Sequence, residues 1–261
     1  MSRISAVFDK LRGRSEVAFI PYLTAGDPNI DTTVELVLEF ERRGADVIEL
    51  GIPFSDPLAD GKANQAAAVR ALEAGTTVDS VFHAVHRIRE ESEIPITLFT
   101  YYNIVLRPGV GEFLGRACEA GADGTTIPDL PPDEAEQLIA ESDRLGLAPT
   151  FFLAPTSTDE RMKFVVEACK GFVYYVSLTG VTGAREKLAD SVAPNVERIR
   201  RFTDLPVCVG FGVSKPKHVR DVASVADGVI VGSAIVKRIG NGLSVTEVGE
   251  FVGELAAAKR A

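Results

Sequence analysis

The sequence predicts an α/β protein built as a single (β/α)8 barrel. Short apolar segments alternate with amphipathic helical segments along the chain, and this alternation implies parallel strands joined by crossover helices. Eight such units fit a closed barrel of about 250 residues, and the chain has 261. An open, doubly wound sheet is the alternative, but the first predicted strand is followed by TAGDP rather than by a glycine-rich G-x-G-x-x-G turn. Because no linker or change in composition divides the chain, we expect one domain over residues 1–261.

The individual elements follow from hydrophobic periodicity. An opening helix over Ile4–Leu11 presents one apolar face and precedes the first strand. Helices that end at Gly44 and Gly146 are expected to have left-handed caps, and a short extra helix is expected to begin within Gly232–Val236, after the eighth strand. The predicted strands are Ala18–Leu23, Val47–Leu50, Ile96–Phe99, Gly124–Ile127, Pro149–Leu153, Phe172–Val176, Val207–Val209 and Gly228–Val231, and the other helices include Thr32–Arg43, Asp133–Leu145, Asp159–Cys169 and Val192–Phe202.

Composition and charge exclude several classes of function. The net charge of −9 and the lack of a basic stripe argue against nucleic-acid binding. No run of about 18 apolar residues and no signal-peptide core is present, so we expect a cytoplasmic protein that does not enter the membrane. The three cysteines have no C-x-x-C spacing and the histidines no H-E-x-x-H spacing, so no metal site is predicted.

Two acidic residues mark the candidate catalytic site. Glu49 lies in the apolar run Val47–Leu50, where a charge is expensive unless it is paired or has a function, and Asp60 follows eleven residues later. Active sites of (β/α)8 barrels lie at the carboxyl ends of the strands, where both residues are expected. Two carboxyl groups in unlike environments can divide acid and base roles. The structural alternatives are a solvent-facing Glu49 and turn chemistry in the loop, where Asp56 precedes Pro57.

Glycine-rich segments after the last three predicted strands favour phosphate binding. They are GVTG at 180–183, GFG at 210–212 and Gly232-Ser233. Barrels often bind phosphate between the loops after strands seven and eight, at the start of a short extra helix. Small residues let the backbone approach the oxygens, and Ser233 could cap the helix or bind the phosphate directly. Each glycine alone could equally form a turn, but together they predict a substrate with a phosphate monoester.

The chain resembles the α subunits of tryptophan synthase over essentially its whole length. The most diagnostic segment is ELGIPFSDPLADG at 49–61, and PYLTAGDP at 21–28, GVTG at 180–183 and GFGV at 210–213 also match the family. The resemblance implies that Glu49 and Asp60 are the catalytic pair. It further implies a ligand site with Tyr174, Phe211, Thr182 and Tyr101, a phosphate site with Gly183, Gly212, Gly232 and Ser233, and a partner interface with Asp56, Pro57 and Asn103.

The resemblance also implies a reaction and a partner. The family cleaves indole-3-glycerol phosphate to indole and glyceraldehyde 3-phosphate, and it passes indole to a β subunit in an α2β2 complex. No cofactor is expected in this chain, because pyridoxal phosphate belongs to the β partner. Glu49 would protonate the indole ring and then act as base on the C3′ hydroxyl, while Asp60 would accept the indole N–H. Many family members have arginine where this chain has Leu178, so the contacts that close the sixth loop differ.

Two alternatives stay open at the level of the sequence. The protein could be a free-standing indole-3-glycerol phosphate lyase, active without any partner. It could also be a non-catalytic barrel that binds a phosphorylated ligand and activates its partner, although the presence of both acids argues against this.

Overall fold

The computed structural model describes residues 2–177, 188–210 and 212–259. Within these ranges the chain forms nine strands, twelve α-helices and one 3-10 turn, and strands and helices alternate as the sequence predicts. The strands are β1 Ala18–Thr24, β2 Ile48–Gly51, β3 Ile96–Phe99, β4 Gly124–Thr126, β5 Ala148–Thr150, β6 Phe152–Leu153, β7 Val173–Val176, β8 Val207–Gly210 and β9 Gly228–Val231. The helices are α1 Arg3–Arg12, α2 Ile30–Arg42, α3 Lys62–Glu73, α4 Val78–Arg89, α5 Tyr102–Leu106, α6 Val110–Ala120, α7 Glu136–Leu145, α8 Asp159–Ala168, α9 Leu188–Arg200, α10 Pro216–Ala223, α11 Ser233–Gly240 and α12 Val245–Ala257.

The strands form one parallel sheet that returns on itself as a barrel. Its order is β5-β4-β3-β2-β1-β9-β8-β7-β6, and β5 and β6 are consecutive segments separated only by Phe151. The predicted fifth strand, Pro149–Leu153, is therefore two short strands. Between them, the Phe151 N–H donates to the sulfur of Cys169 at 3.4 Å, while the Phe151 carbonyl accepts the N–H of Tyr174 at 3.3 Å. The segment pairs with β4 through its first half and with β7 through its second half, so it joins the two edges of the sheet.

Most predicted helices are confirmed, with one correction. The predicted helix Asp133–Leu145 is a 3-10 turn over Pro132–Glu134 followed by α7, because Ala135 has non-helical backbone angles. Gly44 and Gly146 have positive φ values of 98° and 72°, as their predicted cap positions require. The extra helix after the last strand is α11, which starts at Ser233.

Helix α1 covers the amino end of the barrel. Its apolar residues Ile4, Phe8 and Leu11 are buried in a cluster with residues from the starts of the strands. The ring of Phe8 packs against that of Phe172, with centroids 6.0 Å apart. Side chains of α1 therefore close the interior of the barrel at this end, and active sites of this fold lie at the opposite, carboxyl end.

Three aspartates at the amino end connect neighbouring strands. Each follows an alanine in the sequence and stands one or two residues before its strand. One carboxylate oxygen accepts a backbone N–H at the beginning of the adjacent strand, which fixes the register of that pair. The pairs are Asp46 with Phe19 at 2.7 Å, Asp123 with Ile96 at 2.8 Å and Asp227 with Val207 at 2.9 Å.

Cations balance these carboxylates. Asp123 is buried against Arg89 at 2.7 Å and also meets Arg3 at 3.1 Å. The Arg89 guanidinium also donates hydrogen bonds to the backbone carbonyls of Gly121 and Ile94, so these N–H groups have acceptors as well. The other two aspartates have the corresponding partners Lys259 for Asp46 and Arg200 for Asp227.

We expect Asp123→Ala to lower the free energy of unfolding by about 3 kcal/mol, because it leaves the buried Arg89 guanidinium without its carboxylate and the Ile96 N–H without its acceptor. Urea titration would measure the change. Asp31→Ala is the control, since that carboxylate is 78% exposed in its pair with Arg87 and should contribute little. Equal effects of the two substitutions would contradict the assigned importance of Asp123.

Candidate active site

Glu49 lies inside the barrel, as an inward-facing residue of β2. The strand register places it beside Tyr22 of β1 and Thr97 of β3. Its side chain is 1% exposed, and its Oε1 atom has no hydrogen-bond partner among the described residues. The solvent-facing alternative is therefore wrong, and the carboxyl group retains an oxygen for a ligand.

The environment keeps Glu49 protonated at neutral pH. Burial is the main cause that raises its pKa to about 8, because a charge is poorly solvated inside the barrel. The hydroxyl of Thr126 opposes this shift, and the charge of Asp60 adds to it. A carboxyl group with this pKa can donate a proton near neutral pH and take it back later.

Asp60 lies between β2 and α3, and hydrogen bonds hold it from several directions. The Tyr101 hydroxyl donates to Oδ2 at 2.8 Å, and the amide of Asn64 donates to Oδ1 at 3.1 Å. The side chain of Gln65 donates to the backbone carbonyl at 2.9 Å. Desolvation raises the pKa of Asp60, and the bonds from Tyr101 and Asn64 oppose this by stabilising the charged form. Tyr101, predicted to contact the ligand, here contacts a catalytic candidate.

Four aromatic rings form a continuous wall at the carboxyl end. Tyr22 meets Phe99 edge-on at 5.5 Å, Phe99 meets Phe152 edge-on at 6.4 Å, and Phe152 meets Tyr174 at 4.7 Å. Such a wall suits a planar aromatic ligand. Sequence reasoning singled out Tyr174 alone and missed the other three rings and Asn64. The sequence offered one indication of the three missed rings, because each of them lies in a predicted strand.

Two glycines make room for the tyrosine hydroxyls of this wall. A Cβ at Gly51 would lie 2.3 Å from the Tyr22 hydroxyl, and one at Gly210 would lie 2.6 Å from the Tyr174 hydroxyl. Burial raises the pKa of both tyrosines, and the nearby Glu49 acts in the same direction. The two hydroxyls therefore stay protonated and can donate hydrogen bonds.

The structure brings some of the predicted phosphate-binding residues together. Gly210 of β8 pairs with Ile230 of β9, so Gly212 and Gly232 follow adjacent strands at the same end of the barrel. Gly212 has a φ of 77°, a conformation that favours glycine. Ser233 does not cap α11, because Gly232 is the N-cap residue, and no side chain of the described residues bonds to the helix start. Backbone N–H groups are thus available there.

Three of the predicted site residues lie outside the described residues. They are Thr182, Gly183 and Phe211, and Leu178 also falls in the undescribed part.

The predicted interface residues are at the surface beside this site. Asp56 and Asn103 are exposed and Pro57 is partly exposed. Leu58 is 83% exposed and Leu106 is 53% exposed, which is unusual for large apolar side chains. The Ala59 N–H donates to the Tyr101 hydroxyl at 3.1 Å, so this surface is connected to the residue that holds Asp60.

The described part of the chain contains no group of His, Cys, Asp and Glu side chains that could hold a metal ion. No helix within it combines the length and apolar character needed to cross a membrane.

Comparison with known proteins points to one family. The sequence profile described as "Tryptophan synthase alpha chain" matches residues 8–259. The tryptophan synthase alpha chain of Geotalea uraniireducens is 50% identical over 237 residues, which are 91% of this chain and 89% of that protein. A solved structure from Aquifex aeolicus has a TM-score of 0.92 at 40% identity and covers 99% of both chains. A chain of tryptophan synthase from M. tuberculosis has a TM-score of 0.91 at 36% identity, covering 100% of this chain and 99% of that one.

Replacing Glu49 by Gln should remove a pH-dependent loss of stability. The unfolded chain releases this proton near pH 4.5 and the folded chain near pH 8, so the wild-type free energy of unfolding falls over that interval. The variant lacks this titration. We therefore expect its stability relative to the wild type to grow by more than about 1 kcal/mol between pH 5 and pH 8, as measured by urea titration. Glu119→Gln, an exposed acid on α6, is the control. A constant difference in the free energy of unfolding across the pH range would show that Glu49 has the same pKa in the folded and unfolded states.

Proposed function

The chain belongs to the tryptophan synthase α chain family, whose reaction is the cleavage of indole-3-glycerol phosphate to indole and glyceraldehyde 3-phosphate, and we propose that Glu49 and Asp60 carry out this reaction. The chain is thus a lyase. One observation carries the assignment of the acid, namely that Glu49 is buried and protonated while its Oε1 has no partner in the described structure.

Glu49 supplies a proton and recovers one within a single turnover. Indole is a poor leaving group until its C3 atom is protonated, and the neutral Glu49 carboxyl donates that proton. The resulting carboxylate then accepts the proton of the C3′ hydroxyl. The C3′–O bond becomes a carbonyl, the C3–C3′ bond breaks, and its electrons restore the indole ring. The carboxyl group ends the cycle protonated, and its pKa of about 8 suits both transfers.

Asp60 stabilises the positive charge that develops on the ring. Its carboxylate accepts the indole N1–H, and the hydrogen bonds from Tyr101 and Asn64 favour the ionised form that this role needs. The wall formed by Tyr22, Phe99, Phe152 and Tyr174 supports the proposal, because it offers an apolar surface beside Glu49 for the indole ring.

The phosphate of the substrate is proposed to bind at the start of α11. Gly212, Gly232 and Ser233 support this with accessible backbone and with N–H groups that no side chain of the described residues caps. We propose that Thr182, Gly183 and Phe211, which lie outside the described residues, also belong to the ligand site.

The partner of the chain is the β subunit of tryptophan synthase, and the pyridoxal phosphate of that enzyme belongs to the β subunit. We propose that the β subunit binds the surface that includes Asp56, Pro57 and Asn103, and that the exposed Leu58 and Leu106 add apolar area to it.

We further propose that residues 1–261 form one catalytic domain that works in the cytoplasm. The joining of strands from residues 18 to 231 in one sheet supports the first statement.

Indole release from indole-3-glycerol phosphate tests the roles of the two acids. With the β subunit present, we expect Glu49→Gln and Asp60→Asn each to lower kcat by at least about 100-fold, because a positioned acid or base typically contributes that much. Glu119→Gln should behave like the wild type. Turnover that survives in Glu49→Gln would reject it as the proton donor. Full wild-type turnover without a β subunit would favour the free-standing lyase, and activation of the β subunit without any turnover would favour the non-catalytic barrel.

Binding to the β subunit tests the interface. Asn103→Arg places a bulky charge on the proposed surface, so we expect the Kd for the β subunit, measured by calorimetric titration, to rise at least about tenfold. Gln137→Arg makes the same change at an exposed position of α7 and should leave the Kd unchanged. Equal affinities of the two variants would show that the β subunit binds a different surface of the chain.

A further inference from the structure

We propose that Asn64 is a positioning residue for the reaction, which aims the carboxylate of Asp60 at the N1–H of the indole ring. The inference rests on the proposed role of Asp60 and adds a residue that neither the sequence motifs nor the family resemblance singled out.

The geometry is that of a clamp with one donor on each side. The Asn64 amide donates to Oδ1 of Asp60 at 3.1 Å, and the Tyr101 hydroxyl donates to Oδ2 at 2.8 Å. With both oxygens held, rotation of the carboxylate about its terminal bond is restricted. Each oxygen retains a second lone pair, so one can still accept the indole N–H.

Asn64 is well placed for this task because its backbone is part of a helix. It is the third residue of α3, whose N-cap is Gly61, directly after Asp60. The Gln65 N–H donates to the Gly61 carbonyl at 3.0 Å, and the Gln65 side chain holds the Asp60 carbonyl. The first turn of α3 therefore fixes both the backbone of Asp60 and the direction of its carboxylate.

The cost of having asparagine here points to function rather than to stability. The Oδ1 atom of Asn64 is buried and has no hydrogen-bond partner within the described ranges, which is unfavourable for a polar atom. The neighbouring helix positions Ala63, Ala67 and Ala68 are apolar. An apolar side chain of similar size would remove the unpaired oxygen, but it would also remove the donor that Asp60 needs.

A comparison of two ligands separates positioning from packing. The first is a non-cleavable indolylalkyl phosphate, and the second is its benzothiophene isostere, in which sulfur replaces the N–H. Asp60 can distinguish them only through the N–H. Calorimetric titration of the full-length chain should show that the wild type prefers the indole ligand by about tenfold or more, as expected for a hydrogen bond to a charged group.

The variants are expected to change this preference in a defined order. Asn64→Leu, which keeps the size and removes the donor, should reduce the preference by about threefold to tenfold without loss of stability in urea. Asn64→Asp removes the donor with almost no change in shape, and should reduce the preference as well. Asp60→Asn should abolish it. Gln137→Leu is the matched control, because it removes an exposed amide of α7, outside the site, and the preference should stay at the wild-type value.

Two results would overturn the inference about Asn64. One is a wild-type preference in both Asn64 variants, and the other is an equal loss of affinity for both ligands, which would indicate a packing role. A preference that persists in Asp60→Asn would instead reject the proposed role of Asp60 itself, so the two failures can be told apart.

Discussion

The register of the parallel strands is the constraint on which the rest of this structure depends. Side chains of a strand alternate between its two faces, so a slip of one residue in β2 would turn Glu49 out of the barrel. Parallel strands joined by helices have no tight turns to set that register. Asp46, Asp123 and Asp227 perform this function at the amino end, where each accepts an N–H of the adjacent strand and pairs with a cation. The register of these strands is therefore fixed at the amino end, and α1 covers this end of the barrel.

This rigid framework allows the carboxyl end to carry groups that do not favour folding. A buried carboxyl group with an unpaired oxygen costs free energy, and Glu49, whose Oε1 has no partner among the described residues, is held between Tyr22 and Thr97. The same burial that makes Glu49 unfavourable also keeps it protonated, which is the state an acid catalyst needs. Stability is supplied by the apolar core and by the aspartates at the opposite end, while the proposed catalytic residues lie at the end where the strands finish.

The two acids lie in different surroundings, which act differently on their pKa values. Glu49 is surrounded by the barrel interior, and burial dominates its behaviour. Asp60 is also partly withdrawn from water, but Tyr101 and Asn64 donate hydrogen bonds that favour its charge. Because Tyr101 also accepts the N–H of Ala59, the state of Asp60 is linked to the loop that carries the exposed Leu58. This arrangement connects the surface proposed for the partner to the carboxylate proposed for catalysis.

The sequence by itself determined the barrel and the position of each strand to within a residue or two, and it singled out Glu49 and Asp60 as the candidate catalytic acids. Apolar periodicity and chain length are local properties, and a motif as long as ELGIPFSDPLADG identifies its family without any knowledge of contacts. Tertiary structure decided what each side chain meets. The N–H of Phe151 meets the sulfur of Cys169, and the clamp on Asp60 includes Tyr101, which lies 41 positions later in the chain. Such contacts arise only when the sheet returns on itself and brings distant segments together, so no local pattern in the sequence encodes them.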